Sequence, residues 1–156
     1  GDQLGLQYFS QTNCYGSQNP VLDELGEPAF FLLQARFQVS ASSNLALTCR
    51  YGPDATALVT QMNNFGLVED VEAMQVLYAE DQDKDHIADR WVSAQSWQQE
   101  SDVLALKLGI LFTSKQKFNH VVHEPITLLD ETFNPAADGK IRRSVTLTTA
   151  IHGRSK

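Results

Sequence analysis

The chain has 156 residues, enough for one domain and too few for two of ordinary size. Its 12 Lys+Arg against 19 Asp+Glu leave a formal charge of −7. That acidic balance argues against nucleic acid, which calls for a basic face, and against an anionic membrane surface.

The chain opens Gly1-Asp2-Gln3, with neither the basic nor the apolar stretch of a signal peptide, and it reads as trimmed, any anchor or leader having been cut away. Period two dominates from the start. Leu4, Leu6 and Tyr8 alternate with polar or small neighbours and predict an opening strand. Asn13 to Pro20 is turn-rich. Pro28 to Ser40 reads as a long strand carrying Phe30, Leu32, Ala35, Phe37 and Val39, and Leu45, Leu47 and Cys49 predict a strand that turns Cys49 toward the core. Tyr51-Gly52-Pro53-Asp54 is a turn signal.

Glu69, Glu72, Ala73 and Met74 favour a helix, but the alternation of Met74, Val76 and Tyr78 predicts a strand over 71–78. After an acidic stretch at 80–89, residues 91–94 read as a short returning strand. The clearest strand is Val103 to Thr113, with Leu104, Leu106, Leu108, Ile110 and Phe112 on one face and Lys107, Gly109 and Thr113 on the other. It is also the nearest approach to a membrane span, and it is too short and carries Lys107. Lys115 to Lys140 has no period and contains Pro125, Pro135 and Gly139, so it reads as a long surface excursion, a candidate for function or disorder. A β-branched strand over 141–151 closes the chain. The expected fold class is mainly β: one antiparallel domain over 1–156, of about seven strands.

Cys14 and Cys49 are the only thiols. An even count in an acidic, strand-rich chain without metal-type spacing points to a disulfide, and hence to an oxidising compartment. A bridge closing about 36 residues stabilises by roughly 4 kcal/mol on the chain-entropy account. A catalytic thiol is disfavoured, because His120, His123 and His152 lie far downstream without a nucleophile context.

The sharpest constellation is Asp81-Gln82-Asp83-Lys84-Asp85-His86-Ile87-Ala88-Asp89. Oxygens at alternate positions of a tight loop suit calcium, which takes six to eight of them. Asp81, Asp83 and Asp85, the Ile87 carbonyl and Asp89 are the candidate ligands, against the alternative of a solvated acidic hairpin loop. His86 stands where an EF-hand loop has Gly, and Val92 where a bidentate Glu completes it. His120-Val121-Val122-His123-Glu124 has the residue types of a zinc site without its spacing, and reads as exposed loop histidines. Tyr78, Trp91 and Trp97 read as core before ligand surface. There is no phosphate loop, no nucleophile elbow and no credible active site, so an enzyme is not expected.

Taken together, the ordered segments resemble the PilW family of type IV pilus minor pilins, related to pseudopilin J of type II secretion. The resemblance is carried by Asp2 to Tyr8, by Asn13-Cys14-Tyr15-Gly16 with its partner Leu47-Thr48-Cys49, by the block Leu67 to Tyr78 running into the Asp-rich loop, by Val103 to Leu108, and by Arg142-Arg143 before the Thr-rich strand. Asn13 replaces the usual Asp, Ala79 a usual Gly, and Ile151-His152-Gly153 a Leu-Arg-Asn ending. Residues 20–44 and 115–140 match nothing quotable.

The resemblance implies a pilin-like antiparallel head, α+β at full length. An N-terminal hydrophobic helix would place the head on the periplasmic side of the inner membrane and later in the filament. It implies a non-enzymatic subunit that primes assembly and sits at the pilus tip, with other minor pilins and the major pilin as partners. The alternative is a calcium-dependent adhesive or ligand-binding module of the cell surface.

Overall fold

The computed structural model describes residues 2–98 and 101–151, and every regular element among them is a strand. The chain divides into two compact units, one of Gln3–Glu69 and one of Asp70–Lys156 together with Gly1–Asp2.

The first unit is an antiparallel meander of β1 (Gln3–Ser10), β2 (Phe31–Val39), β3 (Leu45–Gly52) and β4 (Val59–Val68), paired in that order. Leu6, Ala35 and Cys49 lie in register across β1, β2 and β3. Because side chains alternate between faces, one face collects Leu33, Cys49 and Tyr51, with Cys14, Phe31, Ala35, Leu47 and Met62 packed against them. Cys49 reaches this core as expected, and it is bonded to Cys14 across a Cα–Cα distance of 6.0 Å. Gln61 of β4 holds the same turn from its other side. Its side-chain oxygen accepts the Cys14 N–H at 3.0 Å, and its carbonyl accepts the Tyr15 hydroxyl.

The second unit pairs β5 (Val71–Asp81), β6 (Arg90–Val92), β7 (Asp102–Lys117) and β10 (Lys140–Ala150) in the order β10-β7-β5-β6, all antiparallel. A separate hairpin joins β8 (Ile126–Leu128) to β9 (Glu131–Phe133). β5 is covered on both sides: Val71, Ala73, Met74, Val76, Leu77 and Ala79 are all buried. A strand buried on both faces has no polar face, which is why Leu77 and Ala79 are apolar as well as Val76.

Three expectations are corrected. The described residues hold ten strands, not about seven. β4 is new; exposed along most of its length, it has no apolar face to leave a period-two trace. The stretch 115–140 is not a featureless excursion. Its first residues extend β7, and its hairpin buries Leu128 at 1 % exposure.

That hairpin also overturns the expected burial of β7. The most buried leucine of the strand is Leu111, on the Gly109 face, packed with Ala73 and Leu128. A Cβ on Gly109 would lie 2.9 Å from side-chain atoms of both Leu128 and Leu129. The glycine is thus the space into which the hairpin packs. Gly109→Ala should cost about 1–3 kcal/mol by overpacking, and Leu128→Ala about 2–5 kcal/mol by leaving a cavity. Urea unfolding checks both, and a neutral Gly109→Ala would count against this packing.

Candidate functional site

β5 ends in two consecutive carboxylates, Glu80 and Asp81, both fully buried. Neighbours on a strand point to opposite faces, so each must find its own partners, since an unpaired buried charge costs several kcal/mol. Glu80 receives Arg90 Nε at 2.6 Å and the Gln98 backbone N–H at 2.7 Å. Burial pushes its pKa up, but the hydrogen bonds from Gln98, Arg90 and Ser101 outweigh that and hold it below the ordinary glutamate value.

Asp81 accepts the backbone N–H groups of Lys84 at 2.7 Å and His86 at 2.9 Å. The rest of the loop follows the same logic. Asp89 accepts the Gln82 N–H at 2.7 Å, Asp85 that of Ile87 at 2.8 Å and Asp83 that of Asp85 at 3.2 Å. His86, standing where an EF-hand loop has glycine, nevertheless takes the left-handed turn at φ 70°.

Ligand atoms of Asp81, Asp83 and Asp89 come within 4.8 Å of one another, one carboxylate buried and two exposed. Asp85 is not in that trio, and Ile87 enters through its N–H to Asp85. Each carboxylate oxygen retains a lone pair after accepting one amide, so the donor set fits a hard cation incompletely and would need water or further oxygens.

Glu80 is the residue that sequence reasoning missed. Its signal is a carboxylate on the same alternation as Val76 and Tyr78, inside an apolar strand. Of the histidines, His120 is exposed and His123 half-buried; neither joins a metal-ligating group among the described residues, and His152 lies outside them. Lys107 Nζ sits 4.2 Å over the Trp91 ring, and Trp91 and Trp97 are each 37 % exposed. Tyr78 is half-buried between Val92 and Leu106 in register, and burial, then Asp2, raises its pKa.

A second charged cluster stands at the start of β10. The Arg142 side chain, 4 % exposed, forks onto Glu72 of β5 at 2.5 and 3.0 Å and onto Asp138 at 2.9 and 3.0 Å. One guanidinium therefore spans β7 to tie β10, β5 and the preceding connection. The Arg142 hydrogen bonds, then the Lys140 N–H, hold the Asp138 carboxyl far below the usual carboxylate range. A depressed folded pKa gives stability that is present above the unfolded value of about 4 and lost as pH falls below it. Arg142→Gln should lower the thermal midpoint at neutral pH, and the gap to the parent should shrink steadily as pH falls from about 4 to about 2. A gap independent of pH, in paired melts, would show that the cluster contributes by packing alone.

The sheets leave long strands at their margins, each paired on one side only. β10 ends the order β10-β7-β5-β6, is exposed from Arg143 onward, and has no charge from Ser144 to Ala150. β1 ends the other sheet, carries no charged residue, and pairs with β2 without a register shift. Backbone groups along such strands are free to pair with another chain.

Among proteins of known structure, the fold is similar to the type IV-like pilin TTHA1219 from Thermus thermophilus. The TM-score is 0.52 at 18 % identity, over 94 % of this chain and 77 % of that one. No curated protein matches. The sequence matches the family described as Type IV Pilus-assembly protein W over residues 36–152. Antiparallel sheets with no helix among the described residues, a pilin-like fold and a match over most of its length agree: the chain belongs to the PilW family of type IV pilus assembly proteins.

Proposed function

We propose that this chain is the exposed β head of a minor pilin that primes assembly of a type IV pilus and sits at its tip, held by other minor pilins and the major pilin. The observation that carries the reading is the family match over residues 36–152 on a pilin-like fold. The open edges supply a mechanism. Main-chain pairing along β10 gives attachment, and the exposed Val145 and Leu147 give it a preferred register. The head acts in the periplasm and then on the filament, and an N-terminal hydrophobic helix in the full-length protein anchors it in the inner membrane beforehand.

The test is capture of sister minor pilins by the full-length protein. Val145→Lys with Leu147→Lys should cut capture by about tenfold or more, since edge lysines block strand addition. Undiminished capture would remove β10 from the mechanism. Normal piliation after gene deletion would remove the priming role.

A second reading is favoured by the convergence of Asp81, Asp83 and Asp89 within 4.8 Å. In it, calcium staples the loop after β5, and an adhesive role at the cell surface depends on the ion. Calorimetry should then show binding that Asp83→Ala with Asp89→Ala abolishes. Loss of surface attachment in that variant supports adhesion, and binding with attachment intact leaves a structural staple. No heat at millimolar calcium ends the reading.

A further inference from the structure

The first unit has a second sheet face, opposite Leu33, Cys49 and Tyr51, and an open groove of about 460 Å³ lies over it. Two cross-strand rows line it: Gly5, Arg36 and Thr48 in one, Gln7, Gln34 and Arg50 in the other. Arg36 and Arg50 are the only Lys or Arg between residues 3 and 69, and β1 to β4 contain no Asp or Glu. In a chain of net charge −7, this unit places both of its cations as diagonal neighbours on one face with no carboxylate among them.

Their partners are few. Arg36 makes no ion pair among the described residues, and Arg50 donates Nη2 to the Leu58 carbonyl at 3.2 Å. Gln34 Nε2 donates to Gln7 Oε1 at 3.0 Å, leaving the other end of each amide for a ligand. The Thr48 oxygen accepts the Asn64 N–H and keeps its own proton to donate.

Gly5 adds an independent observation. A glycine inside a strand weakens it, and usually marks a bulge, a bend or a close approach. β1 pairs with β2 without a register shift, and a Cβ on Gly5 would meet nothing within 4 Å. No neighbour in the fold requires the missing side chain, and its absence keeps one end of the groove open.

We infer that this groove binds an acidic polysaccharide of the uronate type. Guanidinium groups take carboxylates in a two-pronged fork, while the amides and the Thr48 hydroxyl donate to and accept from ring hydroxyls. The lining side chains repeat at the strand spacing of about 4.7–4.9 Å, so a polymer lying across the strands meets a polar group at each step. No aromatic ring lines the groove to stack a neutral sugar, so charge has to carry the affinity. The site does not depend on the pilin reading.

The test is affinity electrophoresis and calorimetry of the whole chain with polygalacturonate, with neutral dextran and dextran sulfate as controls. Polygalacturonate should bind at low salt and weaken as screening rises, and dextran should not bind. Arg36→Gln with Arg50→Gln should weaken binding about tenfold or more, the scale of losing charge-assisted hydrogen bonds. Gly5→Tyr should block the groove while the disulfide and thermal midpoint persist, because tyrosine suits a strand better than glycine. No retardation by polygalacturonate, or retardation unchanged in both variants, overturns the site. Dextran sulfate binding as tightly as polygalacturonate overturns the uronate assignment.

Discussion

A sheet that does not close on itself has to dispose of its edges, and in an all-strand chain that constraint shapes everything else. Different edges are disposed of differently. β6 is only three residues long, and the Glu80 carboxylate fixes Arg90 at its start. The part of β5 beyond β6 is met by Asp2, which donates its N–H to the Met74 carbonyl and accepts the Val76 N–H on its side chain. β4 is broken by three register shifts against β3 and by Asn64 at φ 52°. β1, and β10 from Arg142 onward, receive no such treatment: they are long, in unbroken register, uncharged over most of their length and exposed. Leaving only those two intact is what a protein built to accept neighbours requires.

Within the second unit, buried carboxylates hold what burial of apolar area does not. The loop after β5 contributes little apolar area, its one large apolar side chain Ile87 being 68 % exposed, yet Glu80 and Asp81 between them fix Arg90, Gln98, Lys84 and His86 through hydrogen bonds to charged oxygens. The acidic run 81–89 therefore has a structural reason to be acidic whether or not a cation visits it. A cation would compete with amide protons for the same oxygens, exchanging one set of loop contacts for another.

Strand positions were legible wherever apolar and polar residues alternate along the sequence, as in β1, β2, β3 and β7. β4, exposed along most of its length, left no such pattern. β5 is covered on both faces and carries helix-favouring residues, yet the alternation of Met74, Val76 and Tyr78 still placed a strand over 71–78, within Val71–Asp81. β8 and β9, three residues each, are too short for a period to register. The disulfide was readable from the cysteine count, and the Asp-rich loop from its spacing. The Arg142 fork was not, because Glu72 lies 70 residues away and only the pairing of β10, β7 and β5 brings the two together.

The β10 edge and the groove over β1 to β3 rest on different physics, which keeps them separable. Strand addition along β10 uses main-chain hydrogen bonds and apolar contacts, with little net charge between Ser144 and Ala150 to screen. The groove over β1 to β3 works through two guanidinium groups on an otherwise acidic chain, where a screening length of about 8 Å at physiological salt already weakens exposed pairs. Attachment that survives high salt therefore reports the edge, and attachment that salt removes reports the groove. A head offering both would hold its place in an assembly by backbone pairing while meeting charged polymers reversibly. Neither needs a catalytic group: the core around Cys49 takes one face of the first sheet, and the groove opens over the middle of the other face, between the buried Leu32 and Ala46.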